Sequence, residues 1–255
     1  MPPPVHQKSF VLTVSESKRL IARALKQHPV IMKALNQGTV AIAKGTTNAY
    51  VVEELLGEGI EKRHYCTGVT RPARGTQGTE TTDELPDVVL RNGEIVEGVS
   101  AVEAASEMGP GDVFVKGANA VNYDRKQAGI LIGHPTGGTI GAVIGTVIAR
   151  RAALLIPVGL EKSIPGDLHE TYRDLAAVGE HGEGPTLWPL AGEIFTELEA
   201  LRLHMAGGRA ALIGAGGIAG AEGSVRVAVW GTSDHVVRAE GAVNSVLGEP
   251  PFLAG

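Results

Sequence analysis

A chain of 255 residues, 43% hydrophobic and 20% charged, carries enough apolar material for a large buried core, which excludes a disordered or fibrous chain. A formal charge of −5, with basic clusters no longer than the pairs Lys18-Arg19 and Arg150-Arg151, argues against nucleic acid as a partner, because phosphate neutralisation calls for a basic stripe. Cys66 is the only cysteine, so an intrachain disulfide framework is excluded, and a reducing cytoplasmic location is expected.

In chain order, Met1-Pro2-Pro3-Pro4 has neither the basic nor the apolar region of a signal peptide. Residues 15–37 read as helix, with Ser15 as N-cap and a division at His28-Pro29. Residues 39–43 form a short buried strand, and Gly45-Thr46-Thr47-Asn48 turns the chain into a helix that Gly57 ends. Residues 64–66 suggest a second strand, and the polar stretch 68–84 a long loop of functional or mobile kind. Across 88–96, Asn92-Gly93 signals a hairpin, since both positions of a type I′ turn need positive φ.

A helix over 101–108, a strand over 112–116, a loop over 117–127 and a strand over 130–132 follow. The stretch 129–158 is the most apolar, but His134, Pro135, Arg150 and Arg151 interrupt it, so no membrane span is expected. It reads as strand, helix (137–151) and strand (152–158), with Gly141, Ala142 and Gly145 allowing the helix close to a sheet. This alternation predicts an α/β fold, a mostly parallel sheet with helices on both faces. Prolines and glycines mark 163–189 as a linker, so residues 1–165 are expected to form an α/β core with a ligand crevice. A helix over 191–205, strands over 209–213 and 225–230 and a helix over 234–247 then make residues 166–255 a small C-terminal α+β unit that can pack on that core.

Three segments can carry chemistry. At Lys44-Gly45-Thr46-Thr47-Asn48, glycine allows close approach, hydroxyls donate, and the helix start favours an anion; alternatively, Thr47 merely caps the helix. His134-Pro135-Thr136-Gly137-Gly138-Thr139 also joins a strand to a helix, and two such turns at the carboxyl ends of parallel strands would open onto one crevice. The third is Lys116-Gly117-Ala118-Asn119-Ala120-Val121-Asn122-Tyr123-Asp124, at the end of another strand.

The succession of strand, Gly45-Thr46-Thr47 and helix, then strand and Gly117 to Asn122, then glycine-rich turn and helix, then strand and Gly159-Leu160-Glu161-Lys162-Ser163 resembles the sugar-phosphate isomerase and CoA-transferase-like fold. That group includes ribose-5-phosphate isomerase A, glucosamine-6-phosphate deaminase and the sensor domains of DeoR-type repressors. The resemblance covers residues 40–163 and rests on motif order. It implies a phosphate-binding turn at Gly45, Thr46 and Thr47, a ligand lysine at Lys162, and a homo-oligomer. Where the isomerases carry acidic residues this chain has Asn119, Ala120 and Asn122, and the helix over 139–149 has no Asp or Glu. An amide is no general base, so enediol isomerisation by that route is not expected. Nor is the glutamate context of CoA transfer identifiable.

Lys116, Asp124 and His134 remain as candidate acid-base groups, with Lys162. His134 has a shuttle role as one reading and a backbone hydrogen bond as the other. Lys116 can pair a ligand phosphate, or form a Schiff base if burial lowers its pKa. Gly45, Thr46, Thr47, Asn48, Gly117, Asn119, Asn122, Gly137, Gly138, Thr139 and Lys162 are the expected ligand-binding residues.

Gly214-Ala215-Gly216-Gly217-Ile218-Ala219 imitates a dinucleotide fingerprint, but a strand follows it closely, so a glycine-rich hairpin is expected. The histidines show no metal-ligand spacing, and there is no Walker lysine or Gly-x-Ser-x-Gly elbow, so neither metal nor cofactor is expected. The sequence reading is therefore a protein that binds a small anionic, phosphorylated metabolite at glycine-rich turns, isomerase- or transferase-like if it is an enzyme. The alternatives are a non-catalytic metabolite sensor, although the 38 residues before the strand at Thr39 are too few for a repressor's helix-turn-helix, or an oligomeric structural protein with a vestigial pocket.

Overall fold

A computed structural model describes residues 5–68, 70 and 84–252. Most of the loop expected over 68–84 lies outside these residues. The described chain is a mixed α/β fold with eight α-helices and three sheets.

The central sheet is built from β2 (Thr39–Ile42), β3 (Val88–Arg91), β4 (Glu94–Ile95), β5 (Val113–Val115), β8 (Ala153–Pro157) and β10 (Glu193–Phe195), in the order β10-β8-β5-β2-β3-β4. The pairs β10/β8, β8/β5 and β5/β2 are parallel, while β3 runs antiparallel to both β2 and β4. Every residue of Thr39–Ile42 and of Val113–Val115 is buried, as continuous apolar runs require in strands covered on both sides. Alternate side chains go to opposite faces. Val40, Ile42, Val113 and Val115 join a cluster with α1 (Val14–Lys26) and α3 (Thr46–Leu56) through Leu20, Ile21, Tyr50 and Val51. Ala41, Phe114, Leu154 and Ile156 join another with α4 (Ala101–Glu107) and α5 (Gly138–Ala149) through Ala101, Ala104, Ile140 and Val143.

The other two sheets are antiparallel. One is β6 (Ala120–Asn122), β7 (Gln127–Ile132) and β9 (Thr186–Leu190), in that order; the other places β12 (Val225–Gly231) between β1 (His6–Leu12) and β11 (Arg209–Ala215). Parallel pairing between the strands described is thus confined to four strands of the central sheet, with one isolated parallel bridge from Val121 to Ser163, which narrows the mostly parallel architecture expected from the sequence. The cluster containing Leu20 and Ile42 also holds Leu198 and Leu201 of α7 (Glu197–Met205), Val227 of β12 and Val243 of α8 (Ser233–Asn244), so the last part of the chain shares a core with the first.

Local departures have local causes. The strand expected at 64–66 is a 3-10 turn, Lys62–Tyr65, whose fully buried Tyr65 hydroxyl donates to the Ile42 carbonyl at 2.5 Å and accepts from the Val88 amide at 3.0 Å. The N-cap of α1 is Thr13, not Ser15: its hydroxyl accepts from the Glu16 amide while the Glu16 carboxylate accepts from the Thr13 amide. The loop expected over 117–127 contains β6, and the linker expected over 163–189 contains α6 (Leu168–Ala177) and most of β9. Asn92 and Gly93 take φ of 51° and 83°, as the predicted hairpin requires. The glycine-rich segment after β11 leads back through β12 as a hairpin, in keeping with its reading as no dinucleotide site.

Candidate anion-binding site

Because β8, β5 and β2 are adjacent and parallel, their carboxyl ends share one edge of the sheet. The segments leaving them are Gly159 to Lys162, Lys116-Gly117 and Lys44-Gly45-Thr46-Thr47. They enclose a cavity of about 280 Å³, completed by Lys18 of α1, Thr67, Gly68, Thr70, Ala118 and Asn119.

Gly45 is the N-cap of α3 and supplies no side-chain hydrogen bond, and the first turn holds no acidic residue. The alternative role for Thr47 is therefore not observed. Thr47 stands inside the helix, 2% exposed, among the residues that line the cavity, and its buried hydroxyl has no hydrogen-bond partner. Asn48 works behind the wall. Its amide nitrogen donates to the Ala43 carbonyl at 2.7 Å and, more weakly, to that of Val115 at 3.4 Å, tying the start of α3 to the ends of β2 and β5. Its side-chain oxygen is buried, has no partner, and lies 3.7 Å from where a Cβ on Gly117 would sit, an ordinary van der Waals distance.

Four lysines reach the cavity. Lys44 is committed to Glu84, at 2.7 Å. Lys18, Lys116 and Lys162 form no ion pair with a carboxylate among the described residues. Lys162 donates to the Ala118 carbonyl at 2.9 Å, whereas Lys116 has only a long bond of 3.4 Å to the carbonyl of Gly117. Withdrawal from water lowers the pKa of all three. For Lys18 and Lys162 the nearby charge of Glu161 works against that loss, while for Lys116 the Lys162 ammonium adds to it and the value falls to about 8.

Beneath Lys162 lie two carboxyl groups that sequence reasoning did not single out. Both oxygens of Glu161 are buried without hydrogen-bond partners, and the side chain folds back over Gly159, where any Cβ would collide with it. Glu197, fully buried at the start of α7, accepts from the Leu160 amide at 3.0 and 3.2 Å; burial and then Glu161 hold its pKa above the usual carboxylate range.

The expected site residues separate into groups. Gly45, Thr46, Thr47, Lys116, Gly117, Asn119 and Lys162 meet at this cavity. Asn119 acts there as a tie, donating to the Gly68 carbonyl and accepting from the Leu131 amide, both at 3.1 Å. Asn122 donates to the Gly166 carbonyl and accepts from the Arg125 amide, holding the turn between β6 and β7 on which Asp124 is exposed. Neither lines the cavity.

His134 is exposed, and its Nδ1 accepts from the Thr136 amide at 3.2 Å, the second of the two roles read for it. With Gly133 and Pro135 it borders a separate cavity of about 760 Å³, faced by His169, Tyr172 and Trp188. Gly137 is the N-cap of α5 at φ 84°, and a side chain there would press on Trp188 and Gly141; Gly138 and Thr139 begin the helix. The single crevice expected for both turns is thus two cavities. The reason is topological: the His134 turn follows β7, which belongs to the antiparallel sheet and not to the parallel set. Lys18 and Glu197, distant in sequence, carry no local signal for their positions. Glu161 sits beside Lys162 within a motif already noticed, and that adjacency is the one clue to it.

Among the described residues no group of three or more His, Cys, Asp or Glu side chains could hold a metal ion, and no helix is long and apolar enough to cross a membrane. The chain matches no protein-family model, no curated protein and no solved structure.

Proposed function

We propose that this protein binds a small anionic metabolite, most naturally a phosphorylated one, in the cavity at the carboxyl ends of β2, β5 and β8. The observation that carries the reading is the convergence of Lys18, Lys116 and Lys162, none paired with a carboxylate among the described residues, on a helix start that Gly45 caps without a side chain. Unpaired cations withdrawn from water are costly, and a bound anion offsets that cost while accepting from the free amides of α3. A volume of about 280 Å³ suits a small phosphate ester better than a nucleotide or an acyl-CoA. The order of segments around this edge also supports kinship with the sugar-phosphate isomerase and CoA-transferase-like fold, and with it a cytoplasmic homo-oligomer. With Asp124 and His134 away from the cavity, Lys116 and Lys162 are the candidate acid-base groups that line the ligand space.

Thermal unfolding in inorganic phosphate and in small sugar phosphates tests the reading. A ligand at a hundred times its Kd contributes about 2.7 kcal/mol to apparent stability, roughly 5–10 °C for a chain of this size. The wild type should shift, and Lys162→Met and Thr47→Val should shift little; Thr47→Val replaces a buried, unpartnered hydroxyl and should fold normally. An unshifted wild type, or variants that respond equally, would remove the proposal.

A further inference from the structure

We infer that Lys116 is a carbonyl-capturing lysine: the ligand is an aldehyde or ketone that also bears a phosphate or carboxylate, and the Lys116 Nζ forms an imine with its carbonyl carbon while Lys162 and the start of α3 hold the anion. This rests on the anion-binding reading and names its substrate class.

The three unpaired lysines are not equivalent. Lys162 is held by the Ala118 carbonyl and has Glu161 and Glu197 nearby, which favour its ammonium form and suit it to pairing with an anion. Lys18 is 6% exposed, also has Glu161 nearby, and lies with its Nζ 5.7 Å from the centre of the Phe252 ring. Lys116 has no such anchor. Its single hydrogen bond among the described residues is long, Lys162 is the charge that bears on it, and it leaves β5, the strand between those that deliver Lys162 and the Gly45 turn. An anion bound across the two flanking segments therefore places the rest of the ligand against Lys116.

An amine adds to a carbonyl only when it is unprotonated. With a pKa of about 8, roughly one Lys116 in ten is neutral at pH 7, against about one in three thousand for an ordinary lysine. The nitrogen lone pair attacks the carbonyl carbon, the C–N bond forms, and the C=O π pair moves to oxygen. Both amine protons then leave with that oxygen as water, giving C=N, which takes one proton from solvent as the iminium. No oxidant or reductant is consumed.

The test uses the full chain with glycolaldehyde phosphate, and phosphate-free glycolaldehyde as the control probe. Borohydride reduction fixes any imine as a secondary amine, which is located by peptide mass mapping. The expected result is an adduct on Lys116 formed at a probe concentration at least roughly ten-fold lower than on any other lysine. It should be suppressed by inorganic phosphate and much weaker with the phosphate-free aldehyde. Lys116→Arg should lose the adduct. Labelling no more selective than that of exposed lysines, or directed to Lys18 or Lys162, overturns the inference. If phosphate stabilises the wild type and Lys116 stays unmodified, carbonyl capture fails alone; if phosphate gives no shift either, the anion site fails with it. The wild-type mapping stands even if the variant folds poorly.

Discussion

Lys116→Met separates a cation retained for a ligand from one that supports the fold. Methionine keeps an unbranched apolar stem and removes the charge. In the folded protein the pKa falls from 10.5 to about 8, chiefly through burial and then through Lys162, which corresponds to a cost on the order of 3 kcal/mol when the amine is protonated. Below about pH 8 the amine is charged both folded and unfolded, and the whole cost is present. Between about 8 and 10.5 the unfolded chain binds the extra proton, so wild-type stability rises with pH; above 10.5 the cost is gone. In ligand-free buffer at pH 7 the variant should therefore melt higher by roughly 2–10 °C, allowing for imperfect packing of the thioether. That advantage should shrink steadily toward pH 10.5. Fluorescence-monitored melts of both proteins from pH 6.5 to 10.5 give the comparison. A variant that melts lower at pH 7, or a difference that does not change with pH, would show that Lys116 is a structural cation with a partner, and the electrostatic reasoning for the cavity would fall.

Tyr65→Phe should cost about 1–3 kcal/mol in urea unfolding, because it leaves the Ile42 carbonyl and the Val88 amide without their shared partner; a loss below 0.5 kcal/mol would mean that water replaces the hydroxyl. Glu197→Gln keeps an acceptor for the Leu160 amide while removing a buried charge. Since the folded carboxyl group has a raised pKa, it binds more protons than the unfolded one above the ordinary value of 4.5, and wild-type stability should decline as pH rises from there through the raised value. The variant's urea midpoint should gain on the wild type between pH 5 and pH 8, and parallel midpoints would contradict the assignment.

The parts of the fold legible in sequence were those whose local pattern and tertiary role agree. Thr39–Ile42 and Val113–Val115 read as buried strands because both faces of the central sheet are covered, and Asn92-Gly93 announced its hairpin through backbone conformation alone. The missed strand β1 exposes most of its residues, so neither alternation nor an apolar run marks it. In α6 only Leu168 is buried, and β9 contains Pro189, tolerated because β9 is at the edge of its sheet; the segment therefore resembled a linker. The site was legible where three strand ends announce it and illegible where sheet membership decides. Nothing in His134 to Thr139 says that β7 pairs with β9 and not with β8. Lys18 belongs to a run of polar residues, Ser15 to Arg19, that lies buried in the assembled fold, and burial of that kind has no signature in a hydrophobic pattern.

The pairing of β1 with β12, His6 opposite Gly231 and Leu12 opposite Val225, sets an order of events during synthesis. β1 is made more than 200 residues before β12, the strand that pairs with it, so at ordinary ribosomal speed it waits roughly 10–40 s. Until β12 is made, Phe10, Val11 and Leu12 lack the strand that pairs with them in the fold, and a strand with unpaired amides and carbonyls is able to pair with a neighbouring chain. Lys8, whose partner Glu240 lies beyond β12, keeps its positive charge in the middle of that waiting strand, and a charge there discourages the wrong edge from joining before the right one has emerged.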